Sequence, residues 1–176
     1  KEAFVDGYWR WFDADGTMAV SKDVYMSNGD KWVRYDANGR MIKGWHTTSN
    51  GKYYFDLTTG AMSKGVKEIN GKYYYFSRVT GILAEYKGEE VPLDGDWYWF
   101  DADGTVAVSK DVYQWSNGGK WVRYDANGRM AKGWDHTSQG TYYFDLVTGA
   151  MAKGVKEIDG KFYYFYKVTG VKAEFS

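Results

Sequence analysis

Trp45 and Trp134 are the residues of this chain that are best suited to contact a ligand. Each follows a glycine in a Gly-Trp pair, at a slot that other parts of the chain fill with valine. An exposed or half-buried tryptophan is typical of a recognition surface, because its ring offers a broad apolar face together with a polar edge. Such a face can stack on a sugar or hold a cation. The valines that answer to these tryptophans are Val24, Val66, Val112 and Val155.

Groups that could catalyse a reaction or hold a metal are poorly arranged in the sequence. The two histidines, His46 and His136, are out of register between similar segments, and the sequence contains neither a nucleophile motif nor a phosphate-binding loop. The DADG segment at Asp13 is similar to the start of a calcium loop, but the twelfth position is Val24 instead of glutamate. Cysteine is absent, which excludes thiolate metal sites. We therefore expect no catalytic residue, no metal site and no cofactor.

Long strings of the sequence occur twice. Residues Trp11–Thr17 recur as Trp99–Thr105, and residues Lys31–Met41 recur as Lys120–Met130, 88 or 89 residues later. Within each copy a shorter unit repeats: an aromatic run, a turn that ends in glycine, and a short strand. Spacings of 21 to 24 residues between the turn glycines are typical of a repeat architecture. These glycines are Gly16, Gly39, Gly60, Gly81, Gly104, Gly128, Gly149 and Gly170.

The segment Lys31–Trp45 shows the repeating unit most clearly. KWVRY is rich in β-branched and aromatic residues, DANG is turn chemistry, and RMIK can return antiparallel. The pattern predicts a β-hairpin that turns at DANG. One hairpin is marginally stable in water, whereas stacked hairpins bury their faces against one another. We therefore expect an all-β solenoid of about eight stacked β-hairpins, built as two duplicated four-hairpin blocks.

The block boundaries follow from the duplication. Residues 1–84 are expected to form the first four-hairpin repeat block, and residues 95–176 the second. Residues 85–94 (EYKGEEVPLD) are acidic and contain the only proline, Pro92, so we expect a flexible joint there.

Composition limits both the core and the class of partner. Aromatic residues make up 20% of the chain, so the core must consist largely of stacked rings. Lysine plus arginine equals aspartate plus glutamate at 23 each, which argues against nucleic acid as a partner. The sequence contains no apolar run of membrane-spanning length, so membrane insertion is not expected. One aromatic precedes every turn and is expected in the core: Phe12, Tyr35, Phe55, Phe76, Phe100, Tyr124, Phe144 and Phe165.

From about Gly7 to Gly170 the repeats resemble the cell-wall-binding or choline-binding repeats of Gram-positive surface proteins and phage lysins. The shared pattern is of the type GKWYYFDxNGxMxxGW, as in KWVRYDANGRMIKGW at Lys31–Trp45. It is similar to the glucan-binding repeats of glucosyltransferases and to the carbohydrate-binding repeats of clostridial toxins. The resemblance implies a hairpin solenoid, a secreted protein associated with the cell wall or cell surface, and a non-catalytic module that anchors an attached domain.

The resemblance also implies a set of ligand-binding residues. Choline-binding relatives use a cage of two tryptophans from one hairpin and a tyrosine from the next, because a quaternary ammonium has no hydrogen to donate and is held by ring faces at ~0.5–2 kcal/mol per contact. Only two of the eight expected hairpins, the second and the sixth, contain both tryptophans, so at most two full cages are expected. The residues carried over are Trp32, Trp45 and Tyr54 in the first block, and Trp121, Trp134 and Tyr143 in the second.

Three functions from different classes stay open at this point. The module can bind choline-bearing teichoic acid, it can bind glucan or another cell-surface polysaccharide by stacking on tryptophan and tyrosine, or it can be a structural spacer with no ligand. Weak sites on one array would gain from effective concentration, which gives a reason for the duplication. A homodimer formed through the last hairpin is also left open.

Overall fold

The computed structural model describes residues 1–175 of the chain. Within them, sixteen short strands pair in sequence order into eight separate antiparallel two-stranded sheets. The helical residues of this range form one 3₁₀ turn, Trp115–Asn117. The expected all-β class with about eight hairpins is confirmed. No helix among residues 1–175 is long and apolar enough to cross a membrane.

The chain forms two compact units, Lys1–Glu85 and a second that begins at Tyr86. Each unit contains four hairpins. The strands of the first unit are β1 Glu2–Val5, β2 Tyr8–Trp11, β3 Lys22–Met26, β4 Lys31–Tyr35, β5 Gly44–Thr48, β6 Gly51–Phe55, β7 Gly65–Ile69 and β8 Lys72–Phe76. The strands of the second are β9 Glu89–Leu93, β10 Asp96–Phe100, β11 Lys110–Gln114, β12 Lys120–Tyr124, β13 Gly133–Thr137, β14 Gly140–Phe144, β15 Gly154–Ile158 and β16 Lys161–Phe165.

The hairpins turn at a different place from the one that the sequence pattern predicts. Strand β4 pairs with β3, and the DANG segment after β4 closes only one isolated bridge, between Tyr35 and Met41. Ile42 still donates its backbone N–H to Arg34 at 2.8 Å, but Met41 donates its own to the carbonyl of Trp9 in the preceding hairpin at 3.0 Å, so the segment after DANG bonds to both hairpins. The prediction of a hairpin within Lys31–Trp45 is therefore wrong: DANG connects two hairpins.

The core of each unit includes one aromatic residue per hairpin, which ends the second strand or, in the case of Phe12, directly follows it. Seven of these eight rings are at most 1% exposed, which confirms the core prediction for them, whereas Phe12 is only half-buried. Backbone hydrogen bonds join successive hairpins within a unit, as from Met62 N to Trp32 O and from Leu83 N to Lys52 O, both at 2.8 Å. These bonds fix the relative position of neighbouring hairpins and hence of the rings on them. The seven buried rings are Tyr35, Phe55, Phe76, Phe100, Tyr124, Phe144 and Phe165.

The segment 85–94, expected as a flexible joint, contains strand β9. Its residues pair with β10 around a tight turn, Asp94-Gly95, in which both residues have positive φ (50° and 88°). Pro92 lies opposite Trp97, one pair beyond the pair that flanks the turn. In a two-residue hairpin that pair is not hydrogen-bonded, so proline is accommodated there without the loss of a ladder bond.

Candidate functional site

Three aromatic side chains pack against one another at the surface of the first unit. Trp45 on β5 lies directly opposite Tyr54 on β6, with ring centroids 5.2 Å apart and planes at 68°. Tyr74, on β8 of the next hairpin, approaches the same indole at 5.2 Å and 81°. Trp45 is 45% exposed, so the trio faces solvent, while Phe76 packs behind it at 5.9 Å. We call Trp45, Tyr54 and Tyr74 the first ring trio.

The second unit repeats this arrangement. Trp134 on β13 lies opposite Tyr143 on β14 at 5.0 Å, and Tyr163 on β16 approaches it at 5.1 Å and 79°. We call Trp134, Tyr143 and Tyr163 the second ring trio. Here the ammonium of Lys172 also lies over the rings, 5.8 Å from the Trp134 centroid and 5.4 Å from that of Tyr163.

Trp32 and Trp121 lie on other hairpins than the tryptophans with which the resemblance groups them. Trp32 is on β4 opposite Tyr25, with ring centroids 5.4 Å apart, whereas Trp45 is on β5. Trp121 likewise lies on β12 opposite Tyr113, at 5.3 Å. The expectation that the two tryptophans of a set share a hairpin is therefore wrong, because the hairpins turn one segment earlier than expected.

Both of these tryptophans are about two-fifths exposed, and each has a lysine ammonium near its ring. The ammonium of Lys64 lies 5.9 Å from the Trp32 ring, and that of Lys153 lies 6.0 Å from the Trp121 ring. Their part in ligand binding stays a prediction.

Tyr74 and Tyr163 complete the trios and were missed by sequence reasoning. Each stands two residues before the buried ring that ends its strand, whereas Tyr54 and Tyr143 stand one residue before theirs. Neighbouring residues of a strand point to opposite faces. A tyrosine two residues before the core ring is therefore a signal in the sequence, but it can be read only once the stacking of successive hairpins is known.

A polar groove lined by the second and third hairpins is duplicated in the two units, and in the second unit Trp134 also lines it. In the first unit it has a volume of about 490 Å³, and Asp23, Arg34, His46 and Asn50 line it. Arg34 donates two hydrogen bonds to the Asp23 carboxylate, at 2.7 and 3.0 Å, and its guanidinium lies 4.2 Å over the Tyr53 ring. The hydrogen bonds to Asp23 raise the pKa of Arg34 above its ordinary value and hold the guanidinium in one orientation.

The groove of the second unit, about 640 Å³, carries one more carboxylate. Arg123 donates two hydrogen bonds to Asp111, at 2.8 and 3.0 Å, and a third to Asp135, at 3.0 Å. Hydrogen bonding to Asp111, and then to Asp135, raises the pKa of Arg123. In the first unit His46 stands where Asp135 stands in the second. Among residues 1–175 no cluster of histidine and acidic side chains is arranged to hold a metal ion.

Comparison with known proteins identifies similar repeats in two kinds of protein. No family model matches the chain. Glucosyltransferase-S of Streptococcus mutans serotype c is 32% identical over 144 residues, which are 81% of this chain and 8% of that protein. The crystal structure of choline binding protein F from Streptococcus pneumoniae has a TM-score of 0.54 and 26% identity, over 94% of this chain and 55% of that one. A second crystal structure of that protein, obtained in the presence of a peptidoglycan analogue, has a TM-score of 0.54 and 27% identity over the same shares.

The chain therefore spans about half of choline binding protein F and less than a tenth of the glucosyltransferase. The agreement covers nearly all of this chain, and it rests on the hairpin repeat and on the sequence within it. In fold and in repeat sequence, the chain is similar to the repeats of choline binding protein F, and in sequence to a segment of glucosyltransferase-S.

Proposed function

We propose that this chain is a non-catalytic binding module that attaches a neighbouring domain to a bacterial cell surface by holding the choline groups of teichoic acid. The observation that carries the proposal is the first ring trio, in which Tyr54 and Tyr74 both approach the half-exposed indole of Trp45 at 5.2 Å. The name of choline binding protein F, whose structure the chain resembles, supports the same ligand.

The chemistry of the trio suits a quaternary ammonium. Its two tyrosine rings stand at steep angles to the indole, 68° and 81°, so the three rings do not form a flat platform. A trimethylammonium group donates no hydrogen bond and is held by the negative faces of rings, at ~0.5–2 kcal/mol per face. Several such contacts give a weak site, and repetition along a polymer raises the overall avidity through effective concentration.

The repeat organisation supports an anchoring role. Two units of four hairpins, Lys1–Glu85 and one that begins at Tyr86, repeat the same arrangement of strands and contain one ring trio each. A cell-wall polymer carries many identical groups close together, so even one weak cation site on the module meets them at a high effective concentration. The location that we propose is the cell wall or cell surface of a Gram-positive bacterium.

The test is a titration of tryptophan fluorescence with choline chloride, with tetramethylammonium as a second probe and sodium chloride as the ionic-strength control. We expect a saturable change that Trp45→Ala abolishes or strongly weakens. Trp115→Ala is the matched control, because Trp115 is 83% exposed on the 3₁₀ turn and lies outside both trios. A flat response of the folded wild-type chain to both cations would overturn the proposal.

Binding of a neutral glycan is a second candidate, and the duplicated polar groove favours it. Arginine, aspartate and amide side chains beside an aromatic wall can hydrogen-bond sugar hydroxyls, and Asn50 and Gln139 occupy the same place in the two grooves. The similarity to glucosyltransferase-S supports this candidate.

Affinity electrophoresis in gels that contain dextran distinguishes the two candidates. If the grooves bind glucan, the Asn50→Ala/Gln139→Ala double variant will lose the retardation that the wild type shows, and choline chloride will not compete. Retardation that choline abolishes would place the polymer at the ring trios instead. No retardation of the wild type would reject glucan as the ligand.

A further inference from the structure

The residue that follows each inter-hairpin turn occupies a repeated slot. It forms an isolated bridge with the buried ring of its hairpin, as Leu83 does with Phe76 and Lys172 with Phe165. In the later hairpins of each unit its backbone N–H also bonds to the preceding hairpin, from Leu83 to Lys52 and from Lys172 to Thr141. The slot is apolar at seven positions and holds lysine at one: Met18, Met41, Met62, Leu83, Val106, Met130, Met151 and Lys172.

Lys172 places a cation at the second ring trio. Its Nζ lies 5.4 Å from the centroid of Tyr163 and 5.8 Å from that of Trp134, which are distances at which an ammonium is attracted to a ring face. The side chain is 23% exposed, and Glu174 holds the same ammonium in an ion pair at 3.1 Å. The amine therefore lies over two of the three rings that the proposed function assigns to an external cation.

We propose that Lys172 is a built-in occupant of the second ring trio, so that of the two trios only the first binds an external quaternary ammonium. This inference rests on the proposed function. An incoming trimethylammonium group would have to displace Lys172, breaking its contacts with two rings and with Glu174, or share the trio with a like charge. Both are unfavourable, and like charges in close contact repel.

The first ring trio has no such cation at the corresponding slot. Leu83 occupies the same bridge position one block earlier, and a leucine side chain can add an apolar floor to a cation cage without a competing charge. The two trios are otherwise closely similar, with tryptophan–tyrosine distances of 5.2 and 5.2 Å in the first and 5.0 and 5.1 Å in the second. The difference between Leu83 and Lys172 therefore decides which trio is open to a ligand.

Reciprocal substitutions test the assignment. Titration calorimetry with tetramethylammonium chloride should give one bound equivalent for the wild type, lost in Trp45→Ala and kept in Trp134→Ala. Lys172→Leu should add a second equivalent, with an affinity within about tenfold of the first, a ratio that corresponds to about 1.4 kcal/mol. Leu83→Lys should weaken the first site by at least about tenfold.

Two controls separate charge from structure. Lys172→Arg keeps a cation in the slot and should not add a site, and Lys161→Leu removes an exposed lysine at the turn end of β16 and should leave binding at one equivalent. The ε-methylene protons of Lys172 should show an upfield ring-current shift in NMR spectra, and Trp134→Ala should abolish it. Circular dichroism shows whether each variant is folded.

The outcomes distinguish this inference from the proposed function. Two equivalents bound by the wild type, or a single equivalent in folded Lys172→Leu, would overturn the role of Lys172 and leave the choline proposal intact. No binding of the cation by the wild type or by Lys172→Leu would overturn the proposed function, and this inference with it.

Discussion

Trp45 and Tyr74 meet edge to face across two successive hairpins, with ring centroids 5.2 Å apart and planes at 81°. The two residues are 29 positions apart in the sequence, and each also contributes to its own hairpin, Trp45 opposite Tyr54 and Tyr74 opposite Lys67. The contact therefore depends on how one hairpin is placed on the next. If the first ring trio is a cation site, Tyr74 becomes part of that site only when successive hairpins are stacked.

Substitution of Tyr74 tests whether the ring itself is needed. We expect Tyr74→Leu to raise the dissociation constant for tetramethylammonium by about three- to thirtyfold, because one ring face is removed at ~0.5–2 kcal/mol. Tyr74→Phe keeps the ring and should change the constant by less than about threefold. The measurement is a calorimetric or fluorescence titration of both variants. Equal effects of leucine and phenylalanine would show that the ring face does not hold the cation.

The two tryptophans of the first block should differ in their effect on cation binding. Trp45→Ala should weaken tetramethylammonium binding by at least about tenfold, whereas Trp32→Ala should change it by less than about threefold, because Trp32 lies on β4 opposite Tyr25 and not on the hairpin of Trp45. Parallel titrations of the two variants provide the measurement. A loss of the same size in Trp32→Ala would mean that both tryptophans contribute to one site.

The turn after β6 should lose stability in acid. The Asp56 carboxylate accepts hydrogen bonds from the backbone N–H groups of Thr59, at 2.7 Å, and Thr58, at 2.9 Å, and these bonds lower its pKa below the ordinary value of 3.8. A carboxyl whose pKa is lowered by folding stabilises the fold above its unfolded pKa, and this contribution is lost as the pH falls through the lowered value.

Asp56→Ser is the matched variant, because Ser77 fills the same place in the turn after β8 and accepts longer bonds, at 3.1 and 3.2 Å. The variant should be less stable than the wild type at neutral pH, and the difference should narrow as the pH falls below 3.8 and through the lowered pKa of Asp56, because the carboxyl then becomes uncharged like serine. Urea unfolding at neutral pH and in acid provides the measurement. A difference that is independent of pH would contradict the assignment of the effect to the carboxylate.

Gly60 is constrained both by its backbone and by its surroundings. It has a φ of 74°, and a Cβ placed on it would lie 2.5 Å from Sδ of Met41. Gly60→Ala should therefore cost about 1–2 kcal/mol for the left-handed backbone and about 1–3 kcal/mol for displacing Met41. Gly16→Ala is the control, because Gly16 has a φ of 86° and open space around the added Cβ. Urea midpoints that fall equally in the two variants would show that the Met41 contact adds nothing.

Sequence alone was sufficient for the class of fold and for the core. The aromatic that precedes each turn recurs eight times, and seven of these rings are buried, since a stacked array needs the same large apolar residue at the same place in every unit. The location of the hairpin turns was wrong, because the chain offers turn residues both at DANG and between β3 and β4. Local turn chemistry does not distinguish the two places; in the stack, the segment after DANG also bonds to the preceding hairpin, from Met41 to Trp9.

The candidate site, too, was predicted in part from the sequence and completed by the structure. The sequence singled out Trp45 and Trp134 because each replaces a valine of the repeat, and the structure places both half-exposed, each among three other rings. The third ring of each trio, Tyr74 or Tyr163, comes from the following hairpin. The ammonium of Lys172 comes from the bridge position after that hairpin. Local patterns predict which face of a strand a side chain takes, but contacts between hairpins depend on the geometry of stacking, which only the tertiary structure decides.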